Sequence, residues 1–536
     1  MTRHRRGHDR RFSGVLLTLL LAGPVLAPVH GAEVDAGSVE WLSAQALQTR
    51  LDTDAGGELP LNQRALVQWN LLRNPDVLVG REATEIAAQQ LRADRGVWQP
   101  QVFVELERTS SQRRNSSERS DLPVLEDRET RGEVGVRMQV ATGAELSLSY
   151  NVRDRFSTAS SADDPEGIDD AVGRLRFEVR QPLLQGIGAR AIRSGIAQTE
   201  RQLDIAREEL RQQALSSSFE ILNLYWQLHR VERVAAISAE SRAHARSVLD
   251  DTRRLVAAGR LPETAEEEAE ALVLLRDAEA MSIDQERREV MAGLRTRLNL
   301  AVDGGDDWSF RAVERPRLSA PDLPTAFEPY FSDVLAQWPN HHIALQRLKM
   351  AEEALRIADN ERLPTLDLVM HYGQQSRDFD SSLTETFREA RRDDFPEWGV
   401  AVEFSMPLGP NQTARARQDM ARSQIVQSSI DAESVRVQLG NQLRQRIDQV
   451  RSTHAEALQH QQHVAVMQRL LESEQRAFER GSATVQSLID REDRLNQSLL
   501  RLIDAEVRFE LAKLALSLSD GSLLAMSGTA LIGVAP

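Results

Sequence analysis

Two stretches of this chain, Ala189 to Ala258 and Asn411 to Arg480, each run for 70 residues without a proline and with a single glycine, Gly195 and Gly440. In the first, apolar side chains recur in two staggered seven-residue series. Leu203, Leu210, Leu224 and Val231 form one; Ala214, Ile221, Leu228, Ala235, Leu249 and Val256 form the other. At 1.5 Å per residue a continuous helix of this kind is roughly 105 Å long, several times the width of a small domain. It cannot be hidden inside a globule, so it must lie alongside similar helices. Each stretch is closed by a glycine, Gly259 or Gly481, the residue type that ends a helix in a left-handed backbone conformation. Shorter helical patterns cover 263–299 and 485–518 after these glycines, and 63–96 and 327–361 before the long stretches. The short patterns are about half the long ones, so two stacked end to end match one long helix.

Composition agrees with long helices and narrows the function. Apolar residues make up 41% and charged residues 27%, but aromatics only 5%, fewer than a compact globular core draws on. There is no cysteine, which excludes disulfides, thiolate metal sites, thiol nucleophiles and a lipid-modified N-terminal cysteine. A net charge of −15 argues against nucleic acid as a partner. Arg3, Arg5, Arg6, Arg10 and Arg11, the apolar run from Val15 to Ala22 and the small residues near Gly31 and Ala32 read as a secretory signal over 1–31. No run of 18 apolar residues occurs elsewhere, so a membrane-spanning part would have to be a β-barrel.

Between the helical patterns the apolar period changes to two. Val102, Val104 and Leu106 alternate with Phe103, Glu105 and Glu107; Val134, Val136, Met138 and Val140 with Gly135, Arg137 and Gln139. Leu146, Leu148, Tyr150 and Val152 follow the turn Thr142-Gly143, and Leu175, Phe177 and Val179 come next. The second half supplies Leu366, Leu368, Met370 and Tyr372, then Trp398, Val400, Val402, Phe404 and Met406. Strands of about 9–11 residues with one apolar face suit a transmembrane barrel, and equally a soluble sheet laid over a core. Polar connections, 109–131, 153–173 and 374–396, separate them.

The pattern occurs twice. Pro75 and Pro100 are 25 residues apart, as are Pro339 and Pro364, and in that register Ala87/Ala351, Leu91/Leu355 and Arg92/Arg356 coincide. The division that follows is a signal peptide over 1–31, an N-terminal segment over 32–62, which the resemblance described below would place in the periplasm, and a first repeat over 63–300. A linker or equatorial segment with Gly304-Gly305, Pro316, Pro321 and Pro324 covers 301–326, and a second repeat over 327–520 is followed by a tail over 521–536. Long helices alternating with strands make the fold class expected α+β, with an internally duplicated protomer.

The passage Trp98-Gln99-Pro100-Gln101, the junction Gln181-Pro182-Leu183-Leu184-Gln185-Gly186 with its echo Met406-Pro407-Leu408-Gly409, and the turn Phe478-Glu479-Arg480-Gly481-Ser482 occur in the order characteristic of one family. The chain resembles the outer membrane efflux proteins, the TolC-like channels, over nearly all of its length after the signal. The resemblance implies an α+β membrane protein, a homotrimer in which a long α-helical coiled-coil barrel running through the periplasm is continuous with a β-barrel among outer membrane lipids. It also implies two partners, a periplasmic adaptor (membrane fusion protein) and an inner-membrane transporter of the RND or ABC type. The turns at Gly259 and Gly481 would then be the periplasmic tips. The family's acidic gate positions, six and nine past the second turn glycine, hold Ser487 and Asp490, so one acidic ring is kept and the other replaced by a hydroxyl; Phe478 falls where an aromatic holds the closed tip. The family's protomer gives two strands per half. Here the first half offers four, because of the hairpin at 133–152, and whether that hairpin belongs to the wall stays open.

No phosphate-binding glycine loop, dinucleotide fingerprint or HExxH occurs, so no catalytic, cofactor-binding or metal-ligating residue is assigned and the chain is not expected to be an enzyme. The cluster Glu266, Glu267, Glu268 and Glu270 reads as a solvated face. His454, His460 and His463 lie on one helical pattern without a third ligand evident, and read as packed or solvated. Two other classes remain: a structural coiled-coil protein of the envelope, which has no need of the strands, and a periplasmic adaptor, which flanks a single helical hairpin with compact β-domains.

Overall fold

A computed structural model describes residues 57–114, 124–158, 168–259, 262–300, 308–378, 396–480 and 484–527. The chain divides into two units, Met1–Gly57 and Glu58–Pro536, and the second is described below. The expected signal over 1–31 lies outside the described residues.

In chain order the elements are β1 (Gly57–Leu61), α1 (Gln63–Arg73), α2 (Pro75–Arg95), β2 (Gln101–Arg114), β3 (Val124–Gln139), β4 (Glu145–Ser157), β5 (Ile168–Pro182), α3 (Arg190–Ala257) and α4 (Glu263–Arg297). Then come β6 (Trp308–Ala312), α5 (Phe327–Leu335), α6 (Pro339–Glu361), β7 (Thr365–Asp378), β8 (Pro396–Ser405), α7 (Gln412–Glu479) and α8 (Val485–Ser519).

The long helices α3 and α7 have 68 residues each, about 100 Å of rise. Of the two apolar series in α3, Leu203, Leu210, Ala214, Ile221, Leu228, Val231 and Leu249 are buried, and Leu224, Ala235 and Val256 half-buried. The half-length helices stack as expected: Arg297 at the end of α4 reaches Asp76 at the start of α2, 3.0 Å away. The patterns at 63–96 and 327–361 are each broken in two, before Pro75 and before Pro339. A proline cannot continue a helix through its missing N–H, and the residue before it is pushed to an extended conformation. Asn74 is that residue in the first case: it closes α1, and its side chain caps α2 by accepting from the N–H of Asp76 at 2.9 Å.

Midway along α3 the packing thickens into a girdle. Tyr225 and Trp226 are fully buried among Leu66, Leu71, Leu294, Phe310 and Leu523. The linker or equatorial stretch contributes here, since β6 pairs with β1 in a two-stranded sheet and Glu314 donates its N–H to the Tyr225 hydroxyl at 3.0 Å. Truncating a buried tryptophan costs about 3–5 kcal/mol, so this girdle rather than any surface pair anchors the bundle. A second cluster joins Leu439, Leu443, Ile447 and Val450 of α7 to Phe509, Ala512 and Leu516 of α8.

At the other end of α2, α3, α6 and α7 lies a six-stranded antiparallel sheet in the order β2-β3-β4-β5-β7-β8. The hairpin at 133–152 is thus inside the sheet, as β3 and β4. β8 has 10 residues, within the 9–11 expected, but the other five strands are longer, reaching 16 in β3. They run into what read as polar connections, because cross-strand charge pairs such as Arg155 with Asp127 at 3.0 Å extend the ladder beyond its apolar part.

Candidate functional site

The sheet has two chemically opposite faces. One rung of the ladder pairs Val102 with Val136, Val136 with Leu148, Leu148 with Phe177, Phe177 with Tyr372 and Tyr372 with Trp398. Because side chains alternate, every member of this rung faces the same way, as do Val104, Val134, Leu175, Met370, Val400, Val402 and Phe404. Among the described residues nothing covers this face: Val102 is 73% exposed and Trp398 74%. The opposite face carries the charges. Arg180 bonds Glu403 at 2.6 Å and Asp367 at 3.4 Å, Arg131 lies 3.7 Å from Glu107, and Arg174 lies 3.4 Å from Glu397. Glu133, Asn151, Arg153 and Arg176 line a polar cleft there. A contiguous exposed apolar surface of this breadth needs a non-aqueous neighbour, while the charged face needs water.

At the far end of the long helices lie the sequence-assigned tip residues. Gly259 takes φ +66°, where a side chain would be strained, and its N–H bonds the Val256 carbonyl at 2.8 Å to close α3. Gly481 lies outside the described residues, and of Phe478 only the backbone, in the last turn of α7, is described. Thr484 caps α8: its hydroxyl accepts from the Ser487 N–H at 3.1 Å, and the Ser487 hydroxyl donates to the Thr484 carbonyl at 2.8 Å. Asp490, one turn on, is exposed and accepts from the Gln486 amide at 3.0 Å. Ser487 and Asp490 therefore sit together at the start of α8, with the serine engaged in the cap and the carboxylate facing solvent.

Sequence reading missed the ties between α8 and the α3–α4 pair. Arg276 of α4 is held between Glu279 and Asp493. His244 of α3 meets Glu492 at 2.6 Å, and that hydrogen bond raises the imidazole above its ordinary value. Arg230 bridges Asp504 of α8 and Glu286 of α4, both at 2.7 Å. The only signal was that Glu492 and Asp493 fall in a charged run after Asp490, which reads equally well as solvent-facing. Half-exposed pairs contribute about 0.2–1 kcal/mol each, so they set the register of α8 more than its stability. Of the acidic cluster on α4, Glu266 pairs with Arg253 at 2.9 Å. His454 packs on Phe509 with ring centroids 5.0 Å apart, and His460 lies 3.7 Å from Glu456. Among the described residues no group of three or more His, Asp and Glu is placed to hold a metal, and no helix is long and apolar enough to cross a membrane.

Residues 331–522 match the family model of the outer membrane efflux protein. Among solved structures the chain is similar to CusC, at 14% identity and a TM-score of 0.64 over 86% of this chain and 92% of that one. It is similar to the outer membrane protein VceC of Vibrio cholerae, at 16% identity and 0.61 over 86% and 96%. It is also similar to the CmeC outer membrane channel of Campylobacter jejuni, at 13% and 0.62 over 86% and 85%. At these identities the likeness to the solved structures is one of fold. No curated protein matches the sequence. The resemblance to TolC-like channels carried by the sequence motifs is borne out.

Proposed function

We propose that this chain, whose residues 331–522 carry the outer membrane efflux protein domain, is the exit duct of a tripartite efflux or type I secretion system. The observation that carries the reading is the two-faced sheet: an apolar face that no described residue covers, a charged face behind it, and helices of about 100 Å leading away from one end. Three copies, each an internal duplication of the units 63–300 and 327–520, close into a barrel in the outer membrane and a helical tunnel in the periplasm. The helix ends at Gly259 and Gly481 meet a periplasmic adaptor, and an inner-membrane transporter of the RND or ABC type supplies the energy. A structural coiled-coil protein has no use for a sheet with one face uncovered and apolar.

The test is to express the chain with a C-terminal tag, separate inner and outer membranes by density, and cross-link the purified protein. The expected result is recovery in the outer membrane fraction as a trimer, with export lost when the gene is deleted. Recovery as a soluble periplasmic monomer would overturn the reading.

A further inference from the structure

The second repeat sends two strands into the sheet, β7 and β8, whereas the first sends four, β2 to β5. We propose that the additional hairpin β3–β4 is part of the barrel wall, that the free edge of β2 in one copy pairs with the free edge of β8 in the next, and that a ring of three closes eighteen strands around a lumen wider than twelve would enclose. This rests on the trimeric duct proposed above.

Three observations favour the wall over an appended flap. The first is register: Val134, Val136 and Met138 of β3 and Leu146, Leu148 and Tyr150 of β4 lie on the same rungs and the same face as the apolar residues of β2 and β5, so the apolar band crosses the hairpin without a step. On its other face Arg131, Glu133, Asn151 and Arg153 continue the charged surface. A flap in water on both sides would not need this alternation.

The second is the way the hairpin is seated. Its turn docks on the junction that leads into α3: the Gly188 N–H donates to the Thr142 carbonyl at 2.8 Å, and Arg193 donates to the Ala141 carbonyl at 2.8 Å. Gly143 turns there at φ +89°, and a Cβ on it would collide with the Gly186 carbonyl oxygen and stand 2.9 Å from Ala189 N. Only glycine permits so close an approach, so the turn is fitted to the base of the wall.

The third is the edges. Among the described residues no strand pairs with the outer edge of β2 or of β8. Unpaired backbone groups are not tolerated in hydrocarbon, and a wall of six strands per copy leaves β2 and β8 running in opposite directions, as an antiparallel seam between copies requires. With strands about 4.8 Å apart and tilted about 40°, eighteen strands give a backbone diameter of about 36 Å against about 24 Å for twelve, roughly twice the cross-section.

The absence of cysteine gives a clean background for the test, done on the full-length protein in the outer membrane. Val104→Cys with Val134→Cys, partners across β2 and β3, should cross-link within one chain on oxidation, and Val104→Cys with Leu175→Cys, which would bridge β2 to β5, should not. Val104→Cys combined in turn with Val400→Cys, Val402→Cys and Phe404→Cys should link neighbouring copies into covalent oligomers. A bimane on Leu148→Cys should be quenched by lipids brominated on their acyl chains. Intact outer membrane trimers in which β2 links to β5 and the bimane is unquenched would overturn the inference while leaving the duct standing. No linkage between copies and no trimer of the unsubstituted protein would overturn both. Electron cryo-microscopy of the unsubstituted trimer, counting six or four strands per copy, decides the matter should the substitutions impair folding.

Discussion

His229 shows how much a single buried ring can reveal. It lies on α3 beside Trp226, with ring centroids 5.5 Å apart, and its Nε2 has no hydrogen-bond partner among the described residues. Burial, aided by the charges of Arg233 and Arg315, pushes the imidazole down to about 4. The folded value lies below the ordinary one near 6.5, so between those limits the unfolded chain takes up a proton that the native one refuses. Stability from this group is therefore complete above about pH 6.5 and falls as the pH drops toward 4, by a few kcal/mol. His244 acts in the other direction, since its raised value means that its tie to Glu492 weakens as the pH climbs. His229→Leu should flatten the loss of thermal stability between pH 7 and pH 4.5, measured by circular dichroism melting. An acid slope equal to that of the wild type would show that the carboxylates, and not this ring, govern acid lability.

Among the elements, α8 unites the sequence-assigned gate with the ties that sequence missed. Thr484 fixes where the helix begins, which places Asp490 one turn beyond Ser487 and leaves its carboxylate in solvent. In the trimer proposed here three Asp490 carboxylates crowd one mouth and attract cations. In planar bilayers Asp490→Ala should reduce cation selectivity and weaken block by multivalent cations from the periplasmic side about tenfold, a loss of ~1.4 kcal/mol of attraction. Phe478→Ala should raise conductance. Unchanged selectivity and block in Asp490→Ala would move the gate elsewhere on α8.

For the whole molecule, the helices carry apolar surface that one copy cannot bury. Met420, Val426, Ile430 and Val437 are exposed along α7, and Val79 and Ile86 along α2. Scattered exposed apolar residues are ordinary, but a row of them on one helix is a packing surface in want of a neighbour. The closure of three copies proposed above would supply that neighbour. Ile430→Glu places a charge in each of the three contacts and should shift the detergent-solubilised protein from trimer toward monomer by size-exclusion chromatography with light scattering. A trimer as robust as the wild type would place the subunit contact on another face.

The sequence by itself determined the elements and their polarity. A stretch of 70 residues without proline and with apolar side chains every seven can only be a long helix, and alternation such as Val102, Val104, Leu106 can only be a strand with one dry face, because both periods follow from backbone geometry alone. The helical periodicity ran across Pro75 and Pro339, where the chain breaks, although the rule that breaks it there is equally local. Tertiary structure alone decided what depends on residues far apart in the chain: that β3–β4 joins the sheet between β2 and β5, that β6 leaves its linker to pair with β1, and that Glu492 and Asp493 turn toward His244 and Arg276 rather than water. Local pattern tells a side chain which way to face relative to its own backbone. Only the packed chain tells it what stands opposite.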